Sequence, residues 1–263
     1  MNLNEQLEIL EVICPKFKNG TSKREIRHDF FKNIKTEIQA YLLGFFASDG
    51  SINKQRHTMV IGITESDREI VELFRNFISP EALIEEVKPI AINTRGKEYL
   101  SKPSVRINIA SKPLVESLEL LGFSEAKTWK ELHIPEIDKK LIPHFIRGYF
   151  DGDGCITGSV RKPNPANREK NYRVTSRWEI CSKRDEILKD IQNFLRMLGI
   201  STNIHYAKRD DMYVLNTCSK KEIKKLFELL YLNANFYLNR KFNKFNYYVN
   251  TEVTQLISEY RNA

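Results

Sequence analysis

The chain is written twice, and this constrains its fold more than any single segment. LLGFFASDG (Leu42 to Gly50) lies over IRGYFDGDG (Ile146 to Gly154) at an offset of 104 residues, setting Gly44 on Gly148 and Asp49 on Asp153. TESDREI then lies over CSKRDEI with Ile70 on Ile187, an offset of 117, so the second copy carries 13 extra residues just after its acid. They coincide with RKPNPANREKN (Arg161 to Asn171), whose Pro, Asn and basic residues read as a long hairpin loop. Further on, INIASK lies over LNTCSK, with Ser111 on Ser219.

Each copy reads as helix, two strands, helix, two strands, helix, the motif forming the first helix. Strands are expected at TMVIGIT and YRVTSRWEIC, and later at SVRINIA and MYVLNTC. In DREIVELFRNFI and RDEILKDIQNFLRML, apolar residues recur at helical spacing: Ile70, Val71, Phe74, Phe77 and Ile78 match Ile187, Leu188, Ile191, Phe194 and Leu195. Closing helices are expected at KPLVESLELLG and KKEIKKLFELLYL. The expected class is α+β: duplicated αββαββα units about a pseudo-twofold axis, with the two motif helices packed at the centre. Residues 1–37 read as an N-terminal extension, 38–139 as the first repeat, 140–250 as the second and 251–263 as a helical tail, with a junction near HIPEIDKKLIP. Within the extension, SKREIRHDFF reads either as a phosphate-contacting helix or as a flexible arm.

Within the motif, Gly44 and Ser48, and Gly148 and Gly152, stand four apart, so small residues make a groove along one helix face and let two backbones approach. Packing through that groove brings the helix ends, and with them Asp49 and Asp153, together. The carbonyl end of a helix carries partial negative charge, so acids there call for a positive partner. Oxygen-only ligands favour Mg²⁺, and two or more divalent ions shared by the two acids satisfy the requirement. Gly50 and Gly154 are expected to turn the chain away from the helix ends.

Lysine and arginine number 42 against 34 acids, and the net charge of +8 favours a polyanion such as nucleic acid over a small-molecule substrate. No apolar run approaches the roughly 18 residues that cross a bilayer, and the N-terminus lacks the pattern of a signal peptide. The expectation is an intracellular protein, in a bacterial or phage-host cytoplasm or an organelle matrix, with no membrane partner. Cys14, Cys155, Cys181 and Cys218 are scattered and read as reduced, mostly buried thiols rather than a zinc or redox site. His144 reads as a helix N-terminal residue rather than a ligand.

LLGFFASDG and FIRGYFDGDG resemble the motif of the LAGLIDADG homing endonucleases in their single-chain, two-motif form, with glycine third and acid eighth. The resemblance covers roughly residues 38 to 250. It implies that Asp49 and Asp153 bind the metals that cut each DNA strand. It also implies a basic residue near each cleavage centre, for which Lys127 in SEAKT and Lys241 in YLNRK are the matching positions, Arg240 replacing Lys241 if the register slips. The two copies differ at the sixth motif position, Ala47 against Asp151. They differ again near the end of the first long strand, where Glu179 stands in copy two as a water-positioning residue and Gly62 in copy one. Unequal cutting of the two strands follows as an expectation.

A monomer binding double-stranded DNA, with the antiparallel sheets as a DNA-binding saddle, is the implied arrangement. YRVTSRWEIC alternates: Tyr172, Val174, Ser176, Trp178 and Ile180 belong against the helices, leaving Arg173, Thr175, Arg177, Glu179 and Cys181 outward. In copy one, Val105, Ile107 and Ile109 point inward, while Ser104, Arg106 and Asn108 point outward. Outward arginines suit guanine edges in a major groove. Hairpin tips supply phosphate contacts through Lys54, Arg56, Arg95, Lys97, Arg161, Lys162, Arg168, Lys170, Lys208 and Arg209.

The function implied is a site-specific endonuclease making a staggered double-strand break in a long target, which promotes copying of the intron or free-standing gene that encodes it. An intein-borne nuclease is disfavoured, because Met1 and the terminal YRNA lack splicing residues. An intron RNA maturase of the same fold, with intron RNA as partner, and a non-catalytic DNA-binding regulator are the alternatives.

Overall fold

The computed structural model describes residues 1–18, 24–94, 97–125, 131–163, 166 and 171–262. Its contacts divide the chain into a first unit, Met1–Gly152, and a second, Asp153–Ala263. The first unit runs α1 (Leu3–Ile13), α2 (Glu37–Asp49), β1 (Gly50–Asn53), β2 (Thr58–Thr64), α3 (Arg68–Ile78), β3 (Ile84–Val87), β4 (Ala91–Thr94), β5 (Lys97–Leu100), β6 (Ser104–Ala110) and α4 (Lys112–Leu120). It also holds all but the last residue of α5 (Ile142–Asp153). The second unit runs β7 (Gly154–Arg161), β8 (Arg173–Ser182), α6 (Glu186–Met197), β9 (Asn203–Ala207), β10 (Met212–Thr217), α7 (Lys220–Tyr231), α8 (Asn239–Asn250) and α9 (Val253–Asn262). The expected αββαββα order appears in both copies, with the β4–β5 ribbon inserted in the first. Among the described residues, no helix is long and apolar enough to cross a membrane.

Each motif helix feeds directly into the edge strand of an antiparallel sheet, ordered β1-β2-β6-β3 in the first unit and β7-β8-β10-β9 in the second. In the first sheet Met59, Ile61 and Ile63 pair with Ile109, Ile107 and Val105, so one face is continuous apolar side chain. In the second, Gly154 and Ile156 pair with Ile180 and Trp178. The alternation expected of β8 holds, with Ser176, Trp178 and Ile180 buried and Arg173 and Thr175 exposed. The five apolar positions expected on each of α3 and α6 are the residues those helices bury. Burial of a large apolar side chain stabilises by roughly 1.5–3 kcal/mol each, so these faces hold the helices on the sheets.

The two sheets differ in register. Ile61 pairs with Ile107, but their counterparts Trp178 and Leu215 are paired with Thr217 and Ile180 instead. A slide of two residues leaves every side chain on its original face, which is why the repeat tolerates it.

Residues 1–18 and 24–36 belong to the first unit and send side chains into its core, which neither reading of SKREIRHDFF anticipated. Phe30 and Phe31 are fully buried, and Arg27 is 3% exposed. Arg27 donates to the carbonyls of Leu10 and Cys14 and pairs with Glu11. His28 Nδ1 meets Ser111 Oγ, the N-cap of α4, at 2.7 Å. Thr36 and Gln39 form a capping box that starts α2, and the buried Gln39 also donates to the carbonyls of Phe30 and Asn33. The side-chain oxygen of Gln6, on α1, accepts from the Ile38 amide at 2.9 Å. An orphan donor at the start of α2 is thereby satisfied.

Two smaller expectations change. Of the cysteines only Cys14 is buried, while Cys155 and Cys181 are half-buried and Cys218 is exposed. Gly50 does not turn the chain through a left-handed conformation: its φ is −77°. Glycine is required there because a Cβ would strike the Phe46 ring.

Candidate functional site

The groove expected from the small residues is where α2 and α5 meet. A Cβ on Gly44 would fall on the Phe145 carbonyl, and one on Gly148 would fall on the Tyr41 carbonyl and lie 2.7 Å from the Phe45 nitrogen. These contacts are reciprocal, since Tyr41 and Phe145 are themselves 104 residues apart. At the far end, a Cβ on Gly152 would meet the side chains of Ser48 and Asp49. Backbone therefore runs against backbone along the seam, and the residue preceding Asp153 lies against Asp49.

A buried polar chain runs along the same seam, and the sequence reading did not foresee it. Arg147 is 1% exposed, and its Nη2 donates to Glu37 Oε1 at 2.7 Å. Its guanidinium lies 5.2 Å over the Tyr41 ring, and the Tyr41 hydroxyl donates to Asp151 Oδ2 at 2.8 Å. Burial, then the Asp151 charge, pushes the Tyr41 phenol well up, so it remains a donor. At the equivalent positions the other copy has Leu141, Leu43, Phe145 and Ala47, all apolar. That contrast within the repeat was the available signal. Asp151, one of two acids in the GYFDGDG stretch, thus faces the seam at 1% exposure rather than solvent.

His144 joins this chain through Nδ1, 2.9 Å from Arg147 Nη1. Arginine only donates, so Nδ1 accepts and the ring carries its proton on Nε2. Burial, followed by the Arg147 charge, lowers the His144 pKa to about 4. The ring is therefore neutral at pH 7, and the charge that Arg147 brings to Glu37 does not depend on it. The pKa is lower folded than unfolded, so the unfolded chain binds the proton more readily. Stability is then complete above about pH 6.5, the unfolded value, and declines as pH falls toward about 4. Denaturant midpoints measured across that window should fall with pH, and His144→Gln should flatten the slope.

Both motif acids end their helices exposed, with no basic residue in the last turn of either. The Ser48 hydroxyl, with one proton to give, lies 2.9 Å from Asp49 Oδ2 and 2.8 Å from the Phe45 carbonyl. In the second unit Glu179 is bridged to Arg177 at 2.8 Å. Cys181 there registers the local field: burial, then the charges of Glu179 and Asp153, raise its pKa. Among the described residues no group of three or more His, Cys, Asp or Glu is placed to hold a metal. Exposed carboxylates at helix ends fit a hard cation that completes its shell with water and phosphate. Lys241, in the first turn of α8, is 7% exposed and donates to the Gly154 carbonyl, one residue from Asp153. Arg240 beside it is exposed. Lys127 lies outside the described residues.

On the outward sheet faces, Arg106 is exposed beside Gly62 and Glu85, and Asn108 donates to Glu85 at 3.2 Å. Glu85 is an acid on this face that the sequence reading omitted. In the second sheet the register sets Arg161 opposite Arg173 and Thr157 opposite Arg177, while Ser159 Oγ lies 2.9 Å from Thr175 Oγ1. Arg56, Lys162, Lys208 and Arg209 are exposed near hairpin ends, Arg209 pairing with Asp210 at 3.2 Å. Lys54 is turned onto Glu119. Arg95, Arg168, Lys170 and the Lys97 side chain lie outside the described residues.

Paired motif helices, each running into an antiparallel four-stranded sheet, define the fold of the LAGLIDADG homing endonucleases. A family model described as a LAGLIDADG-like domain matches residues 36–79 and 141–231, just over half of the chain, and the chain belongs to that family. Among solved structures, the meganuclease I-SmaMI bound to uncleaveable DNA with a TTCT central four matches with a TM-score of 0.57 at 12% identity, over 86% of this chain and 97% of that one. I-SmaMI bound to cleaved DNA matches with a TM-score of 0.53 at 13% identity, over 88% and 92%. These likenesses are of fold. The uncharacterized protein MJ0314 of Methanocaldococcus jannaschii is 22% identical over 184 residues, 68% of this chain but 60% of that protein's length.

Proposed function

We propose that the protein is a homing-type, site-specific DNA endonuclease that hydrolyses one phosphodiester in each strand of a long duplex target, leaving a staggered break, with Mg²⁺ as cofactor. Two motif helices of one chain, packed at glycines and each ending in an exposed aspartate, carry the proposal. Relatives of the same fold are named as bound to cleaved and to uncleaveable DNA.

Asp49 and Asp153 would hold the ions at the scissile phosphates. When bound, such ions neutralise phosphate charge and lower the pKa of attacking water. Lys127 and Lys241 offset charge growing on the phosphate. Glu179, fixed by Arg177, orients water in the second centre, and Gly62 gives the first centre no counterpart. Residues 38–139 and 140–250 serve as the two half-site readers. Arg106, Asn108, Arg173, Thr175 and Arg177 address base edges. Lys54, Arg56, Arg95, Lys97, Arg161, Lys162, Arg168, Lys170, Lys208 and Arg209 address phosphates.

The test is selection of cleaved molecules from a plasmid library carrying the uninterrupted host locus, with Mg²⁺ or with chelator. A single site cut on both strands only with Mg²⁺ is the expected result. Binding to intron RNA without DNA cleavage would reassign the protein as a maturase.

A further inference from the structure

Asp151 and Asp153 are two residues apart on α5, and so lie on nearly opposite sides of it. The first is buried in the seam and the second is exposed. The last turn of a helix has unsatisfied carbonyls and frays unless something outside holds it. One hold on this turn of α5 is the Tyr41 hydroxyl, which crosses from α2 to the Asp151 side chain. The Tyr41 ring is itself kept in place by the Arg147 guanidinium stacked over it, and Arg147 by Glu37.

The matching last turn of α2 cannot make that bond. Ala47 stands where Asp151 does, and Phe145 where Tyr41 does. Its acid is supported locally, by the Ser48 hydroxyl on Asp49. The residue equivalent to Ser48 is Gly152, which has no hydroxyl to offer Asp153. The two acids are thus presented by different means, one by a bond across the seam and one by its own neighbour.

We infer that Tyr41 and Asp151 are positioning residues for the centre built on Asp153 alone, and that Ser48 has this role for Asp49. Although Tyr41 sits in the first copy, it serves the second copy's acid. The inference rests on the endonuclease reading above.

The experiment uses the full chain and a duplex carrying the selected site, each strand labelled with its own dye. Asp49→Asn and Asp153→Asn identify which strand each acid serves. Tyr41→Phe should slow the Asp153 strand about tenfold relative to the other, as loss of one hydrogen bond to a charged group would. Ser48→Gly should shift the ratio the opposite way. Tyr41→Phe leaves the buried Asp151 without its Tyr41 donor and could impair folding. Tyr41→Phe/Asp151→Ala, which copies Phe145 and Ala47, removes that hazard and should keep the strand bias. General destabilisation slows both strands alike. Equal slowing, or a native ratio in the double variant, overturns the inference and leaves the endonuclease reading intact. A native chain that cuts neither strand overturns both.

Discussion

Asp49→Asn and Asp153→Asn are each expected to abolish double-strand cutting, with the affected strand slowed at least about 100-fold, the scale of losing one group that stabilises transition-state charge. Each variant should still nick the other strand. Binding should persist with an unchanged salt dependence, because the phosphate-facing lysines and arginines that set the slope are untouched. The fold should not suffer either. Asparagine matches aspartate in shape, and removing a negative charge from a helix carbonyl end stabilises by about 0.3–1 kcal/mol. A strand-resolved cleavage assay beside a melting curve reads all three quantities. Native cutting of both strands by either variant would remove these aspartates from the chemistry.

The second large effect is on folding. Gly148→Ala should lower the unfolding free energy by about 2 kcal/mol or more, read as an earlier denaturant midpoint. Two effects compete at this position. Alanine gains about 1 kcal/mol over glycine in helix propensity, while overpacking typically costs 1–3 kcal/mol and sometimes more. The obstacle decides the outcome: the new Cβ would meet the Tyr41 carbonyl and the Phe45 nitrogen, main-chain atoms of α2 that cannot swing aside. At Gly152 the obstacles are the Ser48 and Asp49 side chains, which can move. Gly152→Ala should therefore cost less stability while disturbing the acid. A Gly148→Ala protein as stable as the native one would mean the seam is not packed at this glycine.

Much of the fold was legible because the sequence carries each periodic pattern twice. The apolar positions of α3 and α6, the alternation of β8 and the glycines of the seam are local regularities, and duplication separates them from chance. The placement of residues 1–18 and 24–36 was not legible. Their burial depends on Arg27 reaching carbonyls of α1 and on Gln6 reaching the start of α2, pairings between segments with no shared period. The polar chain Glu37–Arg147–Tyr41–Asp151 was hidden for a related reason: its charges occupy what reads as an apolar helix face, and only spatial partners explain them. The two-residue slide between the sheets was invisible because it preserves inward and outward faces.

The lopsided seam has an evolutionary corollary. Were two α5 helices to meet in the same geometry, Asp151 would confront Phe145 and Arg147 would confront Leu141. Two α2 helices would set Glu37 against Leu43 and Tyr41 against Ala47. Either like-with-like union strands a carboxylate or guanidinium in a dry interface, a penalty of several kcal/mol per ion. Once these four residues were in place, neither motif helix kept a face suited to pairing with a copy of itself.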